Sequence, residues 1–357
     1  MRPALGLLAL SLCITTLARA EAPIPRRPAP PAPPAPSGPA PSAAIAKDPL
    51  ADASLLAPIQ VESLTITPIV STGTEQRPEV AVLTLDEAMQ TRKVTIREAP
   101  NEDVNNLVLV NRSNRPLFVL SGEVILGGKQ DRIIGSNTII PASTTQTVPV
   151  FCVEHGRWDN AGKTFKSAEA LAHGRLRGKA SFAEQGAVWQ EVAAKNAARK
   201  TTNKTDTYRA VAQQQQNGTL KVWEKQVDEA LAKLPAADRT RMVGYVVAIN
   251  GKVATVDMFE SPTLFKKLER KLVRSYVTEA IDIAATRDAK PPTAADVKEF
   301  MKDADAATEE RGYDTRASTT MTKQGMKTGK AEVMMKSRDQ AAPAADTKPM
   351  YRTYQAK

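Results

Sequence analysis

The sequence predicts an α+β protein: an antiparallel, β-rich N-terminal half, built as a sandwich or partial barrel, with helices and a β-hairpin-helix unit in the second half. Three observations predict it. Short β-branched or apolar runs, bounded by Pro, Asn, Gly and Ser, recur between residues 59 and 153. After Trp158 the apolar periodicity becomes helical. Asn250-Gly251 then separates two apolar runs, a strong hairpin signal, and Ser261-Pro262 opens a long helix behind it.

Taken in order, residues 1–20 read as a secretory signal peptide. Arg2 supplies the positive start, Ala4 to Leu17 the apolar stretch, and Ala18-Arg19-Ala20 a small-x-small cleavage site. The rival, a lipoprotein anchor at Cys13, meets Leu12 where a small residue is expected. Residues 21–57 are Pro/Ala-rich, a composition that favours extended polyproline II and predicts a semi-rigid spacer, with a ligand for a Pro-binding module as the alternative.

Residues 58–302 are expected to form the α+β domain. Its strands are read at Val61 to Ile69, Val80 to Leu85, Val94 to Ile96, Leu107 to Val110 and Leu117 to Leu120, with a short helix over Asp86 to Thr91. Further strands follow at Val124 to Leu126, Ile133-Ile134, Ile139-Ile140 and Val148 to Val153. Helices are predicted over Ser167 to His173, Phe182 to Ala198 and Thr219 to Leu234; in the last, Leu220, Trp223, Val227, Leu231 and Leu234 share one face. Met242 to Ile249 and Val253 to Phe259 form the hairpin, Leu264 to Ala280 the long helix, and Thr293-x-x-Asp296 caps one more helix. Residues 303–357 are Thr/Lys/Ala-rich and predict a mostly disordered tail, in which Ala331 to Met335 is the candidate strand.

Composition narrows the function classes. No apolar run after residue 20 approaches the roughly 20 residues a membrane helix needs, so the mature chain is expected outside the cytoplasm, periplasmic or secreted, without a transmembrane segment. The formal charge is +10, but basic residues are spread out and aromatics are 4%, so no nucleic-acid partner is expected. The charge reads first as a solvated basic face, with an acidic envelope component as the alternative partner. Of the two cysteines, Cys152 alone would remain after cleavage, either as a buried small hydrophobe or as a reactive or intermolecularly paired thiol.

The chemistry concentrates between Ser121 and Trp158. Glu123, Gln130, Arg132, Glu154, His155, Arg157 and Trp158 stand among the strands there, and their types make charge-assisted hydrogen bonds or stack on a ligand. Strand parity places Gln130 with Arg132 and Cys152 with Glu154, which points His155 away from Cys152 and weakens a nucleophilic dyad. With only His155 and His173 in the chain, no metal site is expected, and no cofactor. The polar residues either pair with one another and fix strand ends, or line a pocket for a small polar or anionic ligand.

Several of these residues carry a resemblance. Gly122-Glu123, Lys129-Gln130-x-Arg132, Val148-Pro149-Val150 and Cys152-Val153-Glu154-x-Gly156-Arg157-Trp158 resemble the ARG and rhodanese-phosphatase-superfamily-associated protein domain. Gly244-Tyr245, Asn250-Gly251, Asp257-x-Phe259 and the helix carrying Phe265 look like its second half, so that the resemblance spans roughly residues 58 to 285. Phe151 and Gly128 depart from the pattern, where a small residue and alanine are usual. The resemblance implies fold and domain limits, since the family's activity is unassigned. The expected function is therefore a binding or scaffold module with a polar Glu/Arg/Gln pocket. The alternative is a hydrolase using Glu123 or Glu154 as general base and Arg132 or Arg157 as oxyanion stabiliser.

Overall fold

The computed structural model describes residue 48 and residues 50–73, 81–100, 103–157, 162–214, 218–336 and 349–357. The expected signal peptide, the spacer up to residue 47 and Trp158 lie outside the described residues.

The largest sheet has nine strands. Eight run in the order β1 (Ala53–Leu55), β3 (Leu64–Ser71), β13 (Met242–Ile249), β14 (Lys252–Phe259), β18 (Tyr351–Ala356), β17 (Thr328–Met335), β16 (Ser318–Gln324), β15 (Glu310–Asp314), and β2 (Ile59–Val61) pairs with β3. All its pairs are antiparallel. A six-stranded sheet follows the order β12 (Gly162–Leu171), β8 (Glu123–Gly128), β9 (Arg132–Ile134), β11 (Thr144–Cys152), β6 (Asn106–Asn111), β5 (Val94–Glu98). Its ends curl together, β12 coming back against β5. A three-stranded sheet, β10 (Thr138–Ile140), β7 (Leu117–Val119) and β4 (Leu83–Thr84), faces it across a core of Leu83, Leu109, Leu117, Ile125, Ile134 and Val150.

Strand parity explains why the central runs are apolar on both sides. Ile125, Ile134, Val148 and Val150 point into this sandwich, while Val124, Leu126, Ile133, Phe151 and Val153 point outward. The outward set is covered by α2 (Gly174–Phe182), α3 (Gln185–Ala198) and α4 (Arg209–Gln214) through Leu176, Val188, Val192 and Val211. A sheet buried on both faces reads as continuous apolar runs.

The second half forms as local chemistry dictates. Asn250 and Gly251 both take positive φ, 48° and 77°, as a tight hairpin turn requires. Ser261 Oγ accepts a hydrogen bond from the Leu264 amide and Pro262 occupies the first turn of α7 (Pro262–Ala280). That helix buries Phe265, Leu268, Leu272 and Tyr276 against the nine-stranded sheet and α5 (Thr219–Ala232). Thr293 and Asp296 form a reciprocal capping box on α8 (Ala294–Asp305), whose Val297 and Met301 cover the opposite face of the sheet. The remaining short helices are α1 (Leu85–Gln90) and α6 (Ala236–Arg241). Among the described residues no helix is long and apolar enough to cross a membrane.

The structure differs from the expectation in three places. Residues 167–171, read as helical from their Ala, Glu and Leu, belong to β12, because hydrogen-bonding to β8 outweighs a weak local propensity. The ordered sheet begins at Ala53, inside the stretch assigned to the spacer. Most of the expected tail is also ordered: apart from residues 337–348, which lie outside the described residues, residues 310–356 supply β15, β16, β17 and β18. Their low hydrophobicity misleads because these strands bury threonine, including Thr319, Thr320 and Thr353, and are anchored by Tyr351 and Tyr354.

Candidate functional site

Between β8 and β9 the chain turns through Lys129–Asp131, and Gly127 and Gly128 enter this turn with φ of +114° and +57°. A Cβ on Gly127 would fall 2.2 Å from the Thr164 carbonyl oxygen, so the close approach of the β12 backbone requires glycine there. Asp131, fully buried, is the hub of the turn. Its carboxylate accepts from the Gly127 amide at 2.9 Å, Thr207 Oγ1 at 2.9 Å, and Arg209 Nε and Nη2 at 2.9 and 2.6 Å. Arg157 Nη2 stands 3.6 Å from it.

Glu154 joins the same network after β11 ends. Its Oε2 accepts from the Asp131 amide at 3.0 Å and from Arg157 Nη2 at 2.7 Å. Gln130 Nε2 donates to the Glu154 carbonyl at 2.7 Å, and Arg157 Nη1 donates to the Gly128 carbonyl at 2.8 Å. The acids are thus fixed acceptors beneath the surface, and the guanidiniums form the outer layer: the Arg209 side chain is 39% exposed, that of Asp131 0%. Asp131 holds the Arg209 guanidinium in its charged form, raising its pKa.

Three of the sequence candidates lie elsewhere. Glu123 is buried against α7, where Lys271 Nζ donates to it at 2.8 Å and the Leu120 amide at 3.2 Å; Lys271 also reaches Asp86 at 2.5 Å. Burial pushes the Glu123 carboxyl above its ordinary range, although Lys271 opposes this. Arg132 points into the sandwich, not toward Gln130, because Gln130 belongs to the turn rather than to β9. His155 is exposed, its ring 4.6 Å from that of Trp189. Cys152 is buried, with burial pushing its thiol pKa up, and Gln185 clamps its backbone at both N–H and C=O. The structure therefore does not bring Cys152 and His155 together.

Sequence reasoning missed Asp131, Thr207, Arg209, Lys271 and Gln185. Thr207 lies in the polar section from Lys200 to Tyr208 and Arg209 just after it, and their partner Asp131 is 76 and 78 residues away. A cleft of about 420 Å³ runs along Thr144–Thr147 and Tyr313–Arg316, at the other end of β11. Among the described residues no three His, Cys, Asp or Glu side chains are grouped as metal ligands.

No curated protein and no solved structure matches the chain. The match that is found covers residues 52–342, beginning one residue before β1 and reaching past β17, so it takes in the turn with its Asp131 hub and most of the nine-stranded sheet. By that match the chain belongs to the ARG and Rhodanese-Phosphatase-superfamily-associated Protein domain family (ARPP-1).

Proposed function

We propose that the domain is an extracytoplasmic binding module that takes a small polar or anionic ligand, or an acidic envelope component, at the rim formed by Arg157 and Arg209. The observation that carries this reading is the Asp131 hub: two guanidiniums gather over one buried carboxylate, with the Arg209 side chain 39% exposed, so the rim carries positive charge in a fixed geometry. The formal charge of +10 favours an acidic partner in the same way. Residues 1–20 and the Pro/Ala-rich segment support export and display away from a surface.

Export is tested by fractionating cells that express the full chain; recovery of the uncleaved protein in the cytoplasm would sink it. Binding is tested by retention on an immobilised acidic polysaccharide at low salt. Arg209→Ala should weaken retention, and Arg209→Lys, which keeps a cation over Asp131, should recover part of it; retention equal to wild type in Arg209→Ala would refute the rim. A second reading, hydrolysis, draws on the raised pKa of the Glu123 carboxyl. Lys271 and the Leu120 amide already engage that carboxylate, and Glu154 is held by Arg157 and the Asp131 amide, so neither is poised as a base. Turnover of an ester or glycoside that disappears in Glu154→Gln would restore the hydrolase.

A further inference from the structure

Arg132 is the first residue of β9 and faces the inside of the sandwich. Register places it opposite Ile125 on β8 and opposite Cys152 on β11. Ile134, on the same face two residues along, belongs to the core. The Arg132 side chain is 0% exposed. A guanidinium keeps its charge in any protein environment, and burying that charge without a partner is costly. Yet the hydrogen bond Arg132 makes to the protein is a long one, Nη1 to the Asp131 carbonyl at 3.4 Å. Its Nε and Nη2 are buried and reach no protein acceptor.

Those two nitrogens lie on one edge of the guanidinium. Their N–H bonds run parallel, and that edge takes both oxygens of a carboxylate at once. The protein uses the same edge elsewhere: Nε and Nη2 of Arg209 hold the two oxygens of Asp131 at 2.9 and 2.6 Å. Arg177 uses its other edge, Nη1 and Nη2, on Asp257, and there Nε alone lacks an acceptor. Arg132 therefore presents a whole two-donor edge, buried, with no protein carboxylate on it.

We propose that Arg132 is the recognition cation of a small-carboxylate site at the end of the sandwich where β5, β8, β9 and β11 meet. This deepens the binding-module reading and takes from it only that the domain binds an anion. The edge pairs with two coplanar oxygens, as a carboxylate offers, and the apolar Ile125 and Ile134 beside it favour a small, singly charged anion over a doubly charged one. Cys152 does not supply the counter-charge, since its buried thiol stays protonated. Glu98 is the protein acid positioned to compete. It lies close enough to act on the Cys152 thiol, but its Oε1 is engaged by the Lys129 amide at 2.8 Å.

The test is the melting temperature of the full chain titrated with acetate, against chloride and sulfate at matched ionic strength. Acetate should raise it saturably and chloride should not. Arg132→Met should abolish the acetate response. Because that variant changes the core, Arg132→Lys is the second arm: it keeps the charge, lacks the parallel edge, and should weaken acetate binding about tenfold or more. Glu98→Gln should leave acetate binding intact or tighten it. An acetate response no larger than chloride's, or equal in Arg132→Lys and wild type, overturns the site; a saturable response to sulfate and not acetate overturns the carboxylate assignment. Each of these failures leaves retention on acidic polysaccharide, and its dependence on Arg209, untouched.

Discussion

Arg177 and Arg132 are buried almost equally, 1% and 0% exposed, but in different halves of the molecule and in opposite chemical settings. Arg177 projects from α2 onto the middle of the nine-stranded sheet. It is paired end-on with Asp257 at 2.9 and 3.1 Å and donates to Tyr351 at 2.7 Å, and both Tyr276 and Tyr351 donate to the same carboxylate at 2.5 Å. Arg132, in the six-stranded sheet, has one long bond to a carbonyl. The first arrangement is closed on itself and ties α2, β14, α7 and β18 into one unit. The second leaves directional donors to spare, and a buried charge with spare donors can be answered by something other than protein. The rim at Asp131 stands between them, an acid fully buried under guanidiniums that are partly exposed.

Removing the carboxylate from the closed cluster should have the largest effect. Asp257→Ala strands Arg177 in the core and should cost about 3–5 kcal/mol in urea unfolding, or prevent folding. A loss under 1 kcal/mol would erase the distinction between the two arginines. The same cluster sets a pH dependence. Burial alone would push Asp257 up, but Arg177 and the two tyrosine hydroxyls outweigh it and hold the carboxyl below its ordinary 3.8. The unfolded state therefore takes up the proton first as pH falls. The stabilisation is complete above the unfolded value and is lost as pH drops through the lower folded one. Acid unfolding of Arg177→Met/Asp257→Leu should accordingly show a shallower dependence below about pH 4 than wild type.

Asp131→Ala should come next, at about 1–3 kcal/mol, because the guanidiniums it releases are partly solvated and can recover water. Arg132→Met sharpens the comparison from the other side. In chloride buffer it should be neutral or stabilising by about 1 kcal/mol, since an unpaired buried charge is replaced by an apolar chain of similar length. A destabilisation as large as that of Asp257→Ala would mean that Arg132 is already satisfied. His155→Ala should be smallest, within about 0.5 kcal/mol by thermal melting, since the ring is exposed and touches Trp189 at its edge.

Features encoded within a few residues were legible in the sequence. Asn250-Gly251, Ser261-Pro262 and Thr293-x-x-Asp296 each specify their turn or cap without help from the rest of the chain, and the apolar runs from Leu107 to Val153 announce strands. What depended on a distant partner was not. β12 is a strand because β8 offers an edge, and the Thr-rich strands after residue 310 are ordered because β14 and β18 template them. The site divides on the same line. Glu154, Arg157 and Gln130 do converge, being close in sequence or joined by one turn, whereas Glu123 was drawn away by Lys271, 148 residues on. Arg132 was named for its type, and nothing in its neighbours foretold that its donors would lack a protein partner.

β18 is the latest of the described strands in chain order, yet it sits in the middle of the nine-stranded sheet, with β14 on one side and β17 on the other. The sheet cannot be completed until residues 351–356 have been synthesised. Before that, the β13–β14 hairpin and the β15–β17 meander are two separate pieces with an open edge each. Long-range pairing of this kind slows folding. Residues 351–356 therefore act as the keystone of this sheet: cutting the chain before them should leave β14 and β17 with exposed edges.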